Sequence, residues 1–183
     1  MASINGYELK KINWFKEHEG LDAFQAEIWK DHEKIGFFSE SYMNGDDEYT
    51  FYDNRNYEKE IHALKATGLK YFKAINEDIG LYEKNYSDDC LIRCLRVLSE
   101  TQKTFQKRNL EFIIVQAKHP YDTIELKKSD NSSFYPQEDI KNLLNENGGI
   151  VLKKLEDFTI KTDNISKDNV RDKIVTTQSR DDR

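Results

Sequence analysis

The sequence predicts an α+β protein: an N-terminal antiparallel β-meander, two central helices, and C-terminal strands with a short helix. Residues 7–53 alternate apolar and polar side chains and are rich in aromatics, as strands of a half-buried sheet require. Apolar residues over 57–108 instead recur every three or four positions, the period of an amphipathic helix. Because strands and helices occupy separate parts of the chain, the pattern favours α+β over an alternating α/β fold.

The meander is predicted from four stretches that turn signals separate: YELKKINWF, AFQAEIW, IGFFSESYM and EYTFY. Gly20 supplies the first turn and DHEK the second. The third turn, MNGDD, contains Asn-Gly, which accepts the positive φ of a tight hairpin.

The two helices are predicted from apolar stripes at helical spacing. The second helix is expected to begin after NYSDD, because Ser87 is a favourable N-cap and Asp88 and Asp89 lie where the helix dipole favours anions. The stripe of the first helix consists of Ile61, Leu64, Gly68, Tyr71, Ile75, Ile79 and Tyr82. The stripe of the second consists of Leu91, Cys94 or Leu95, Leu98 and Phe105.

The C-terminal part, residues 110–161, is predicted to hold two strands joined by a turn, a short helix and a last strand. The stretch LEFIIVQAKHPYDTIELKK supplies the first two strands, and IVLKKLEDFTI supplies the last. Between them, PQEDIKNLLNENGG has proline at its start and two glycines beyond its end, as helix termini prefer. We expect one domain over residues 1–161, followed by a polar tail, 162–183, that is loose or ordered only with a partner.

Composition narrows the class of protein. The chain has 183 residues, a charged fraction of 34% and a net charge of −6, which disfavours nucleic-acid binding over the whole surface but leaves local patches open. No apolar run approaches membrane-spanning length, and the N-terminus lacks the apolar core of a signal peptide. We therefore expect a soluble, intracellular protein without membrane contact.

A metal site is not expected at either histidine-containing turn. His18 in KEHEG and His32 in KDHEK would lie at opposite edges of a meander, about 30 Å apart for a strand of about nine residues. Cys90 and Cys94 lie one helical turn apart, but two thiolates without further cysteines make a poor zinc site and fit a buried core better. No metal and no cofactor are predicted.

No catalytic residues are predicted either, although one nuclease-like motif keeps an alternative open. The four histidines lie in no nucleophile motif, and no glycine-rich phosphate loop is present. The stretch FIIVQAKH is similar to the end of the PD-(D/E)xK nuclease core, and the similarity implies that Gln116 and Lys118 would help to hold Mg²⁺ and the attacking water. The aspartate of that core comes from a preceding strand, whereas a helix is predicted before Leu110.

The first candidate binding site is the acidic hairpin, residues 40–53, whose five carboxylates occur without a lysine or arginine. Carboxylates interleaved with aromatic rings can imitate phosphates and engage a groove built for nucleic acid. The alternative is a solvated hairpin that protects a sheet edge from aggregation. The candidate partner-binding residues are Glu40, Asp46, Asp47, Glu48, Tyr49, Tyr52 and Asp53.

The second candidate site is the basic stripe of the second helix, a segment with five cations and one carboxylate, Glu100. Such a stripe on an acidic protein can contact phosphates of DNA or of a guide RNA. The alternative is an ordinary solvated helix face, partly paired with the acidic hairpin of the same molecule. The candidate nucleic-acid-binding residues are Arg93, Arg96, Lys103, Lys107 and Arg108.

The stretch SINGYELKKINWFKEHEG, together with IWKDHEKIGFFSESYMNGDDEYTFYD, resembles phage-encoded anti-CRISPR proteins that inhibit Cas9 of type II-A. The resemblance implies a stoichiometric counter-defence protein in the host bacterial cytoplasm, which docks on the Cas9–guide RNA complex and blocks DNA binding or cleavage. The acidic hairpin would then act as a DNA mimic in the cationic DNA channel. A metal-dependent nuclease and a DNA-binding phage accessory protein are the alternatives.

Overall fold

The structure, a computed structural model, describes residues 1–16, 20–41, 47–53, 56–75, 90–108, 112–116, 123–126 and 149–165. Nine strands and two α-helices lie in these ranges. The strands are β1 (Ser3–Ile4), β2 (Tyr7–Lys16), β3 (Asp22–Lys30), β4 (Glu33–Ser39), β5 (Glu48–Phe51), β6 (Phe112–Gln116), β7 (Thr123–Leu126), β8 (Gly149–Leu152) and β9 (Thr159–Ile160). The helices are α1 (Tyr57–Ile75) and α2 (Cys90–Arg108), and 3-10 turns lie at Leu155–Phe158 and Thr162–Asn164.

The fold is α+β, as predicted, and its main element is a six-stranded sheet in the order β5-β4-β3-β2-β1-β9. The predicted meander is strands β2 to β5, and each neighbouring pair among them is antiparallel. Strand β1, which the sequence pattern did not indicate, and β9, which lies at the end of the predicted last strand, extend the sheet and pair in parallel. A second, three-stranded antiparallel sheet has the order β7-β6-β8.

The two helices and the inner face of the large sheet share one hydrophobic core. The predicted stripe of α1 is confirmed at Leu64, Gly68, Tyr71 and Ile75, which are buried, while Ile61 is partly buried against the core. Gly68 lets the helices approach closely, because a Cβ there would lie 3.2 Å from the backbone nitrogen of Leu91.

Helix α2 buries the whole stripe predicted for it, with Leu91, Cys94, Leu95 and Leu98 almost inaccessible to solvent. Cys90 and Cys94 are both buried free thiols with their sulfurs 4.0 Å apart, in agreement with a role in the core. The predictions for Ile79, Tyr82, Ser87, Asp88 and Asp89 lie outside the described residues.

The C-terminal part differs from the prediction in its last strand. The stretch expected to form one strand instead forms β8, the 3-10 turn Leu155–Phe158 and then β9. The Asp157 carboxylate accepts hydrogen bonds from the backbone N–H groups of Lys153 and Lys154, so local capping interrupts the extended chain. The predicted short helix after Pro136 lies outside the described residues.

A clasp between Asn5 and Thr162 holds the two ends of the described chain together. The Asn5 side-chain amide donates to Thr162 Oγ1 and its carbonyl accepts from the Thr162 backbone N–H, both at 2.9 Å. The Asn5 backbone N–H also donates to the carbonyl of Ile160 at 2.8 Å. The tail was predicted to begin at Thr162. This residue is buried and starts a 3-10 turn, and residues 166–183 of the predicted tail lie outside the described residues.

Candidate interaction surfaces

Strand alternation divides the residues of the large sheet between two faces. Phe24, Phe38, Tyr49 and Phe51 point inward, where their rings pack in succession. The registers of β2 to β5 align the intervening residues on the opposite side, which we call the outer face. The outer face comprises Glu8, Lys10, Gln25, Glu27, Trp29, Lys34, Phe37, Ser39, Glu48 and Thr50.

Arg93 on α2 pairs with two carboxylates of the acidic hairpin. Its Nη1 donates to Glu40 Oε1, and its Nη2 lies 3.3 Å from Asp47 Oδ2. The Glu40 side chain is only 2% exposed and also accepts from the backbone N–H of Phe24 at 3.3 Å. Asp47 accepts in addition from the backbone N–H of Ser41 at 3.1 Å. We call these contacts the Arg93 latch, because they fix both ends of the hairpin loop to α2.

The Arg93 latch changes the interpretation of both predicted sites. Glu40 and Asp47 were expected to face a partner, but their carboxylates are satisfied inside the molecule. Arg93 was expected to contact phosphates, but its guanidinium lies against the hairpin. The alternative in which the stripe partly pairs with the acidic hairpin therefore describes these three residues.

The remaining hairpin residues separate into buried and exposed groups. Tyr49 packs its ring 5.1 Å from that of Phe38 and belongs to the inner face. Glu48 is exposed, and Tyr52 is 65% exposed with Lys34 Nζ 5.3 Å from its ring centroid. Asp53 is exposed but accepts a hydrogen bond from the Asn56 side chain at the start of α1. Asp46 lies outside the described residues.

A charged network surrounds Glu27 on the outer face. Two irregularities in strand register flank it, one between Lys10 and Asn13 on β2 and one on β4. They direct Lys11 and Lys34 toward the same carboxylate oxygen, at 3.0 Å and 2.8 Å. The Trp29 indole N–H donates to the other oxygen at 3.1 Å. Hydrogen bonds from Lys34 and then Lys11 lower the pKa of Glu27 from 4.5 to about 2.

This lowered pKa predicts an acid-dependent loss of stability that Glu27→Gln should remove. A carboxylate with a depressed native pKa stabilises the fold above its unfolded pKa, and that contribution disappears as the pH falls through the native pKa. The urea midpoint of the wild type should therefore exceed that of Glu27→Gln at pH 6, and the difference should shrink between pH 4.5 and about 2. Glu33→Gln, at an exposed position on β4, is the control and should show a constant difference. A constant difference for Glu27→Gln would contradict the prediction.

The C-terminal part of the basic stripe is exposed, and Arg96, nearer its N-terminal end, contacts an exposed tryptophan. Lys103, Lys107 and Arg108 are all exposed on α2. Arg96 lies over the ring of Trp14, with its guanidinium carbon 5.1 Å from the ring centroid. The structure thus leaves Lys103, Lys107 and Arg108 as the solvent-facing members of the predicted site.

A cleft of about 860 Å³ lies between the β1–β2 turn, the β3–β4 turn, α1 and residues 159–164. Its lining includes Lys30, Lys70, Asp31 and Asp163, and Lys70 pairs with Asp163 at 2.7 Å. Because both signs of charge line the cleft, its electrostatics do not select a ligand of one charge.

The described parts of the chain supply no further metal-binding residues for a metal site or for a nuclease centre. Within them, no group of three His, Cys, Asp or Glu side chains is arranged to hold a metal ion. His32 occupies the β3–β4 turn with φ 73°, and His18 lies outside the described residues. Gln116 ends β6, Lys118 lies outside the described residues, and neither strand paired with β6 contains an aspartate.

Comparisons of the chain with protein-family models, with curated proteins and with solved structures found no match. Across the described residues, no helix combines the length and apolar character that crossing a membrane requires. The functional inference is therefore drawn from the geometry of the chain and from the resemblance of its N-terminal third.

The sequence interpretation missed Trp14 and Glu27, the centres of the two side-chain clusters outside the hairpin. Trp14 was assigned only to a strand, because its contact with Arg96 joins positions far apart in the chain. Glu27 alternates with the buried Ala26 and Ile28, so its place on the outer face follows from strand periodicity. Its contacts with the two lysines depend on the two register irregularities. The one on β4 lies next to Gly36, whereas the one on β2 has no glycine or proline to indicate it.

Proposed function

We propose that this chain is a non-enzymatic binding protein that docks the exposed edge of its acidic hairpin on a nucleic-acid-processing protein and blocks DNA binding or cleavage. Cas9 with its guide RNA is the partner that the resemblance of residues 3–53 implies. The docking surface comprises Glu48, Tyr52 and Asp53, next to Lys34 on the outer face.

The observation that carries the proposal is the combination of a fixed hairpin and an exposed ring. The Arg93 latch holds Glu40 and Asp47 against α2, so these two positions have little conformational entropy left to lose on binding. Tyr52 nevertheless presents 65% of its surface to solvent. An exposed tyrosine on a rigid support is a common anchor of protein interfaces.

Charge complementarity supports a cationic partner surface. Glu48, at the start of β5, and Asp53, just after its end, remain exposed, whereas Arg93 balances one of the two charges of Glu40 and Asp47. Exposed carboxylates beside an aromatic anchor match a groove that holds a nucleic-acid backbone through Lys and Arg. The buried carboxylates Glu27 and Glu40 form ion pairs with lysines and an arginine of the same chain, so their role is to stabilise the fold that carries the docking surface.

The test is a DNA-cleavage assay with guide-loaded Cas9, titrated with wild-type protein and with the double variant Glu48→Lys/Tyr52→Ala. We expect the wild type to inhibit at near-stoichiometric ratios. Loss of an aromatic anchor and reversal of one charge should raise the half-inhibitory concentration about 30-fold. Glu156→Lys is the matched control, because it reverses an exposed charge in the C-terminal 3-10 turn, and it should inhibit as the wild type does.

Three results would count against the proposal. Undisturbed Cas9 cleavage in the presence of wild-type protein would exclude this Cas9 as the partner. Inhibition that the double variant retains in full would exclude the hairpin edge as the docking surface. Cleavage in a lane that holds this protein, DNA and Mg²⁺ without Cas9 would favour the nuclease alternative, and Lys118→Ala should then abolish it.

A further inference from the structure

A second exposed surface combines an indole with lysines in line along α2. Trp14, at the C-terminal half of β2, is 48% exposed. Its ring contacts Arg96, and its indole N–H donates to Glu100 Oε1 at 3.1 Å. Trp14 is therefore seated directly on the helix that carries the basic stripe.

The indole is held in a fixed orientation by three neighbours. Arg96 lies over the ring and also pairs with the second oxygen of Glu100, at 3.3 Å. Phe24 supports the ring from the core with a centroid distance of 5.7 Å. Because both oxygens of Glu100 are engaged and its charge is balanced by Arg96, the carboxylate positions Trp14 without leaving the patch acidic.

The cations that follow on α2 lie in register with this platform. Arg96, Lys103 and Lys107 are spaced by seven and four residues, so they fall within about 40° of one another around the helix. The row extends about 16 Å along the axis. Lys103 and Lys107 are exposed, and no ion pair engages either of them within the described residues. Lys103 and Lys107 thus offer positive charge without a paired carboxylate among the described residues, on the same helix face as the Arg96 that contacts Trp14.

We infer that this surface, Trp14 with Lys103 and Lys107, binds single-stranded nucleic acid. An exposed indole stacks on an unpaired base without regard to sequence, and lysines in line with it contact the following phosphates. Duplex DNA hides its bases within the stack, so it would use the lysines but not the ring. The inference adds Trp14 to the predicted nucleic-acid-binding stripe and specifies a single-stranded ligand. It does not depend on docking by the hairpin edge.

The test measures the anisotropy of a fluorescein-labelled 12-nucleotide oligothymidylate titrated with the full chain in 50 mM NaCl, beside a labelled duplex of equal length. We expect tighter binding of the single strand. Trp14→Ala should weaken it about tenfold or more, whereas Trp14→Phe should retain most of the affinity because phenylalanine still stacks. Lys103→Ala/Lys107→Ala should weaken binding and lower the slope of log K against log[NaCl] by about 1.4.

Two controls separate this surface from general effects of charge and folding. Lys59→Ala/Lys154→Ala removes two exposed lysines elsewhere and should leave both the affinity and the salt slope unchanged. In Trp29→Phe, Trp14 is the remaining tryptophan, and its emission should be quenched when unlabelled oligothymidylate is added.

Any of three outcomes overturns the inference: no binding of the oligonucleotide, equal affinity for single strand and duplex, or unchanged affinity in Trp14→Ala. None of these outcomes alters the Cas9 assay, so the two proposals can fail separately.

Discussion

Arg93→Ala is expected to lower the free energy of unfolding by about 3–5 kcal/mol, because it removes a cation that pairs with two largely buried carboxylates. Glu40 accepts from the Phe24 backbone N–H as well as from Arg93, and its side chain is 2% exposed, so water cannot readily replace the lost guanidinium. Urea denaturation measures the loss, through the midpoint and the slope of the transition. The loop between Glu40 and Asp47 would also lose its attachment to α2, so inhibition in the Cas9 assay should weaken in parallel.

Two further variants separate the buried charge from the other effects of the substitution. Lys107→Ala removes an exposed cation from the same helix and should change the free energy of unfolding by no more than about 0.5 kcal/mol. Arg93→Ala/Glu40→Gln should recover part of the loss, because a neutral amide costs less to bury than an unpaired carboxylate. If Arg93→Ala loses no more stability than Lys107→Ala, the Arg93 latch contributes nothing to the fold.

Gly36→Ala is expected to separate β5 from the sheet and to cost about 3 kcal/mol, the upper end of the usual range for overpacking. A Cβ at position 36 would lie 2.6 Å from the Thr50 carbonyl oxygen and 2.8 Å from the Phe51 ring. The Thr50 oxygen belongs to the backbone, so relief of the clash requires β5 to move away from β4. For a chain of this size the thermal midpoint should fall by about 6–12 °C.

Hydrogen exchange would locate the damage that Gly36→Ala causes. Protection should decrease at the amides of β4 and β5 and persist on β2 and β3. Gly20→Ala is the matched control, because Gly20 has a positive φ of 77° but no atom within 4 Å of the added methyl group. It should cost only about 1 kcal/mol. A Gly36→Ala midpoint equal to that of Gly20→Ala would show that β4 and β5 adjust without separating.

Elements with a local apolar period could be predicted from the sequence, whereas elements that depend on contacts between distant positions could not. The meander and the two helices were predictable because each long element repeats its own apolar period. Strands β1 and β9 have two residues each, too few to show a period, and they form because Asn5 meets Thr162. The break after β8 depends on hydrogen bonds from backbone N–H groups to the Asp157 carboxylate. The sequence shows an aspartate at this position but does not show that its side chain caps the backbone.

The candidate site was predictable in composition but not in orientation. Its carboxylates and tyrosines stand out in the sequence, yet their function depends on which face of β4 and β5 they occupy. Phe38 faces the core, so alternation alone places Glu40 on the inner side, where Arg93 meets it. The same alternation sets Tyr49 inside. Pairing of the stripe with the hairpin was one of the two interpretations of the sequence, but no local pattern identifies Glu40 as the partner of Arg93, because 53 positions separate the two residues.

The Asn5–Thr162 clasp has a consequence for the order of events during protein synthesis. The two residues are 157 positions apart, so at about 5–20 residues per second the ribosome needs about 8–30 s to make the partner of Asn5. The hairpins of β2 to β5 involve near neighbours and can close within that interval. Strand β1 can pair with β2 during this interval, but its other edge stays unpaired until β9 has been synthesised. In a nascent chain stalled before residue 159, the described sheet would therefore end at β1 instead of β9, and this second edge, besides that of β5, would be open to a chaperone or to pairing with another chain.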